Sequence, residues 1–225
     1  MKYRKVIYPL ILALFALQYC ISVPIDTIPR SASKGTGLSL GYGRGAYSLH
    51  YSTCYGEVAE EHRVAAYQMD VAFRPSYGLD YHVIATQFYD EGRTVYPDTT
   101  PWRNNGIFTM AAISVSPYVE RSLADHTKVF LQMHWMVAYS KLYMGPEFDD
   151  DDEGQWGFLI DLTGGVTFGK NPQWSLGFGG LRMGNLSFYY RLPQDENWVL
   201  SAHAGLTLAL TPYVALGIAL TPRAH

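Results

Sequence analysis

Cysteine is nearly absent from this chain: Cys20 and Cys54 are the only two in 225 residues. Cys20 falls in a hydrophobic leader, so a mature chain keeps Cys54 alone, and one thiol makes no internal disulfide. Nothing basic stands next to Cys54 to activate it. Charge is scarce as well. Charged residues make up 16% of the chain, below the roughly 25% of ordinary soluble domains. The net charge of −3 offers no basic surface, so no nucleic-acid partner is expected. After the leader no run of about 18 apolar residues recurs, and no segment keeps a helical period. That argues against spanning helices.

Aromatics, by contrast, are plentiful at 15%, with 18 tyrosines, and glycine numbers 21. They fall in an alternating pattern. In Ala46 to Gly56 the odd positions are Tyr47, Leu49, Tyr51, Thr53 and Tyr55, and the even ones are small or polar. Side chains on a strand alternate between faces, so one face is greasy and the other polar. A soluble sandwich would pack the greasy face inward. A membrane barrel would turn it to lipid and line its lumen with the polar face.

Residues 1–22 read as a signal peptide. Lys2, Arg4 and Lys5 form a positive end, and an apolar run from Val6 to Leu17 follows. The run is short for a spanning helix, which needs about 20 residues. Lipid attachment at Cys20 is a separate option, although Tyr19 fits a lipoprotein box poorly. Residues 23–36, rich in proline and serine, read as a flexible lead-in. Strand-like stretches fill 37–220, and 221–225 form a tail. They are expected at 37–57, 63–73, 79–89, 106–118, 128–143, 156–168, 173–182, 185–192, 198–210 and 212–220. Ten strands result, or eight if the two short stretches at 173–182 and 185–192 are read otherwise. Gly41, Gly43 and Gly45 mark a bend or a small extra hairpin. Several stretches reach 11 residues or more, longer than the usual 5 or 6 of soluble sheets and suited to a tilted membrane strand. The first connections alternate short and long, as in bacterial barrels.

In its leader, in strands such as AYSLHYSTCYG and VFLQMHWMVAYS, and in the hairpin-like LTLALTPYVALGIAL, the chain resembles the small bacterial outer-membrane β-barrels, the OmpA-like and related proteins. The resemblance implies an all-β fold: a single antiparallel transmembrane β-barrel of 8–10 strands. It implies an outer-membrane location, contact with outer-membrane lipid and insertion by the barrel assembly machinery. Such families include structural proteins, adhesins, narrow pores and a few enzymes, so the fold does not choose among these roles. A barrel this small is filled by its own side chains.

The polar rows collect His50, Asp70, Asp80, His82, His134, Asp161 and His203, expected as a hydrogen-bonded network in the lumen. No metal-ligand spacing appears among the histidines, and no metal or cofactor is expected. His50 and Ser52, two apart on one strand, look like the His-x-Ser pairs of outer-membrane lipid A deacylases and phospholipases, with the histidine as base. Parity in the 46–56 stretch places the pair on the lumen face, whereas lipid hydrolysis needs it at the membrane. Ser201 and His203 repeat the pair in reverse. A catalytic role is therefore a minor alternative, and a soluble periplasmic barrel binding a small apolar ligand is another. Asp149, Asp150, Asp151, Asp152 and Glu153 form the densest charge run, a candidate cation-binding loop without the spacing of a helix-loop-helix calcium site. Loops 90–105 (with Tyr96, Trp102 and Arg103) and 144–155 are the expected surface for a ligand or partner.

Overall fold

The computed structural model describes residues 24–29, 36–52, 59–95, 102–143, 154–180, 182–207 and 212–221. Within the strands it leaves aside the side chains of 46–52, 59–64, 88, 90–95, 102–108, 142–143, 182 and 207. Ten strands follow one another: β1 Gly37–Ser52, β2 Ala59–Ser76, β3 Leu79–Val95, β4 Trp102–Ala124, β5 Thr127–Tyr143, β6 Gln155–Phe168, β7 Gln173–Gly179, β8 Arg182–Arg191, β9 Trp198–Thr207 and β10 Pro212–Leu220. Each pairs antiparallel with its neighbours in sequence. β1 then pairs with β10, from Leu38 opposite Leu220 to Gly45 opposite Tyr213, and closes the barrel. Closure leaves the sheet without edge strands, and this is one of the two ways a backbone can cross lipid with its polar groups satisfied.

The alternation that makes these strands also sorts their faces. On β2, Met69, Val71 and Phe73 point out, while Gln68, Asp70, Ala72 and Arg74 are buried. On β5, Leu131, Trp135, Val137 and Tyr139 point out against buried Gln132, His134, Met136 and Ala138. The outside is thus greasy and much of the inside polar, the reverse of a water-soluble protein.

Strand height is uneven. β1 to β5 run 16, 18, 17, 23 and 17 residues. β7 to β10 run only 7, 10, 10 and 9. About 9–11 tilted residues cross a bilayer. The two-residue turns Tyr77–Gly78 and Asp125–His126 lie at one end, called the near end, together with the connections 169–172 and 192–197. The extra length of β1 to β3 is all at the far end. As a result β6 pairs with β7 only over Gly164–Phe168.

Three sequence expectations change. The count is ten, and the eight-strand fallback is set aside. Most of the expected loop 90–105 is strand, since β3 reaches Val95 and β4 starts at Trp102, so Trp102 and Arg103 belong to a paired hairpin. The bend or hairpin expected at Gly41, Gly43 and Gly45 is regular strand, paired on both sides without a register shift.

Candidate functional site

The lumen is built from inward polar side chains held at fixed heights by strand register. Nearest the near end, Arg74 on β2 and Asp80 on β3 face each other across the Tyr77–Gly78 turn. Arg74 Nε donates to Asp80 Oδ1 at 2.6 Å and Nη2 to Oδ2 at 2.9 Å, and the guanidinium lies 4.9 Å from the Tyr118 ring centre. This two-bond fork is the geometry that makes a buried arginine tolerable. One layer further in, Asp70 contacts His82 Nδ1 at 3.0 and 3.1 Å through its two oxygens. The His82 ring meets the His134 ring edge-on at 6.2 Å, and His134 Nδ1 is 2.7 Å from Ser116 Oγ. Across the lumen, His203 bridges Ser187 Oγ at 2.8 Å and Ser201 Oγ at 3.1 Å. Asp161 is buried on β6 against the backbone of Gly180, where a Cβ would overlap its Oδ1. Beyond this polar zone, towards the far end, Ala66, Ile84, Met110, Ala112, Met136 and Ala138 form an apolar layer on the β2–β5 side.

A second element shares the lumen. Residues 24–29 fall in the segment expected as a flexible lead-in, but here they lie inside the barrel. Ile25, Thr27 and Ile28 are 3%, 1% and 3% exposed. The segment runs beside β1, from the Asp70 layer at Ile25 down to the Arg74 layer at Pro29. Ile25 N donates to Asp70 Oδ2 at 2.5 Å, Gln132 Nε2 to Asp26 Oδ1 at 3.2 Å, Tyr189 OH to Asp26 O at 2.7 Å and Arg74 Nη1 to Pro29 O at 3.0 Å. Thr27 Oγ1 also bonds Ser39 Oγ. The trench that holds it is cut by glycine. A Cβ on Gly41 would come 2.8 Å from Thr27 Cγ2, and one on Gly217 would overlap Thr27. Gly41, read in sequence with Gly43 and Gly45 as a bend or small hairpin, was the visible sign of the trench. Arg74 was missed for a related reason: it opens RPSYG and looked like part of a turn. Its parity with Gln68 and Asp70 was the available clue.

The outer surface decides the setting. Near-end aromatics Phe73, Tyr81, Phe168 and Trp198 stand outward, and so do far-end Tyr89, Tyr139 and Trp156. The far-end group is paired: Tyr67 with Tyr89 at 5.8 Å and Tyr139 with Trp156 at 5.2 Å, with Arg44 over Tyr67 at 5.4 Å. Between the two girdles lie Val71, Val83, Ile113, Val137, Phe158 and Ile160, all exposed. From Tyr81 to Tyr89, a rise of about 3.3 Å per residue and a tilt of about 40° give roughly 20 Å, near the ~25 Å apolar band of such proteins. The protein is a transmembrane β-barrel.

No protein-family model matches the chain, and no curated protein does. Solved structures that resemble the barrel include three outer-membrane proteins. Neisserial surface protein A is 11% identical, covers 84% of this chain and 99% of its own, and superposes with a TM-score of 0.37. The transport unit of the autotransporter AIDA-I from Escherichia coli is 8% identical, with 93% and 97% covered and a TM-score of 0.36. Ail, the attachment invasion locus protein of Yersinia pestis, is 9% identical, with 83% and 96% covered and a TM-score of 0.27. At such scores no mechanism is drawn from them.

The remaining candidates sit elsewhere. The barrel carries His50 and Ser52 near the far end of β1, opposite Glu61 and Ala59. The β1–β2 register runs unbroken from Gly37 to Ser52, so both share the parity of outward Leu38, Leu40 and Tyr42. That parity is the opposite of the one read from the 46–56 stretch; the side chains themselves lie outside the described residues. Asp149 to Glu153, the expected cation-binding loop, and Tyr96 also lie outside them. Among the described residues no group of three or more His, Cys, Asp or Glu side chains is placed to hold a metal. Ser201 and His203 are inward, next to the buried segment, since Gly217 faces both Ser201 and Thr27.

Proposed function

We propose that the barrel resides in the outer membrane of a double-membraned bacterium and serves as a structural anchor that presents a raised outer wall for surface contact. The observation that carries this is the uneven strand height. β1 to β3 continue past the far aromatic girdle, where bilayer burial no longer requires so much paired backbone. A feature needed only to cross lipid would stop there, as β8 to β10 do. The partners implied are outer-membrane lipid, the assembly machinery during insertion, and a surface ligand at the far-end loops, including 144–155 and the β3–β4 tip. Glu91 and Arg93, charged residues at the strand parity of Val83, suit a wall standing in water beyond the girdle.

The test is cellular. Protease added to intact cells should cut within 144–155 while leaving the barrel core intact. Replacing 93–103 by a tight turn between paired Gly92 and Asn104 should preserve membrane insertion and weaken attachment of the cells to surfaces or other cells. Recovery of the chain outside the outer-membrane fraction, or unchanged attachment after trimming, would overturn the reading.

A further inference from the structure

We propose that Pro24–Pro29 is an intrinsic plug: it keeps small hydrophilic solutes out of the near part of the lumen. The walls it covers are the walls of a water-filled passage. Ser39, Gln68, Asp70, Gln132, Ser187 and Ser201 face inward and are buried, although they are groups that water would readily solvate. A barrel of about eight strands is filled by its own side chains, and a ten-stranded one is wider. Here the additional room is taken by a piece of main chain, in a trench floored by Gly41, Gly43 and Gly217. A cavity of about 630 Å³ opens at the near end, and its lining includes Lys128, Lys170, Gln173, Arg191 and Pro29 of the segment itself. A solute entering that vestibule thus meets the plug.

The plug is held from several directions. Its partners are Ser39 on β1, Asp70 and Arg74 on β2, Gln132 on β5 and Tyr189 on β8. Ile28 completes an apolar patch with Ala72, Tyr189, Val199 and Ala219. The contacts are mostly to backbone or through single hydrogen bonds, so the segment is seated like a bound extended peptide. The Met110 and Met136 layer lies further towards the far end, and the vestibule opens at the near end, so access from the near end is the quantity to measure.

The experiment measures that access. In a chain with Cys20→Ser and Cys54→Ser, a reporter Ser201→Cys lies beside Thr27. The purified protein in micelles is treated with a small charged thiol reagent, and folding is checked by heat-modifiable gel mobility. The intact chain should react slowly. Deleting 24–29 should speed labelling roughly tenfold or more, as should Gly41→Val, whose side chain would overlap Thr27 Cγ2 and crowd Ile25. A synthetic peptide spanning Val23–Arg30 should restore protection to the deleted chain. Equal labelling of intact and deleted chains would overturn the proposal. If the deletion does not fold, Gly41→Val decides: fast labelling supports the plug, and protection equal to the intact chain refutes it.

Discussion

Arg74 carries a full charge with none of its side chain exposed, and Asp80 is its counter-ion. Removing one partner of such a pair strands the other in a place water cannot reach. Asp80→Ala should therefore lower unfolding free energy by about 3–5 kcal/mol, and Asp80→Asn by less, read from denaturant midpoints of the micelle-bound protein. Tyr189→Phe removes the bond to Asp26 O and should cost about 1 kcal/mol in the same measurement. For the minor hydrolase reading, His50→Ala should leave phospholipid and lipid A turnover of expressing cells unchanged; loss of turnover would restore it. Row parity in the sequence singled out Asp70, Asp80, His82, His134, Asp161 and His203, and each is buried. On β1 the backbone register gives His50 and Ser52 the parity of Leu38 and Tyr42, the opposite of the sequence reading, in a stretch beyond the far girdle where lipid no longer dictates which row is greasy. Parity could not reveal Asp26, which belongs to no strand.

The strands themselves were legible where the bilayer constrains them. β10 was placed at its observed bounds, and β5 and β6 within a residue at each end, because lipid on one side and a polar lumen on the other force strict alternation. The far ends of β2 and β3 were not legible. β2 begins four residues and β3 ends six residues away from the expected bounds, in stretches such as Glu60–Glu61–His62–Arg63 that carry charge on both rows. Hydrogen bonding between strands continues there without an amphipathic signature. This makes an element-level prediction: a single proline at Glu61 or Arg93, which face each other across β2 and β3, should fray the far end and leave heat-modifiable mobility intact. Proline at Val71 or Val83, also paired but inside the bilayer band, should abolish insertion. Gel mobility before and after heating distinguishes the two outcomes.

As a whole, the molecule has its solvent preference reversed. Trp156, Phe158, Val119, Leu216 and Val214 are each 60% or more exposed, an area no soluble monomer leaves bare. The purified polypeptide should be folded and monomeric in detergent or lipid and should aggregate when the amphiphile is withdrawn, as light scattering and circular dichroism would show. A soluble, monodisperse protein in plain buffer would remove the basis for the membrane assignment. The segment at 24–29 has a further consequence, for the order of assembly. Its anchors come from β1 and β2 at one end of the barrel sequence and from β8 at the other, and the β1–β10 seam runs alongside it. A finished cylinder would have to be entered from its mouth, so the simplest route has the early-made tail lying along β1 while the last strands are still being laid. When β10 zips onto β1, the cylinder shuts around a guest that was already in place.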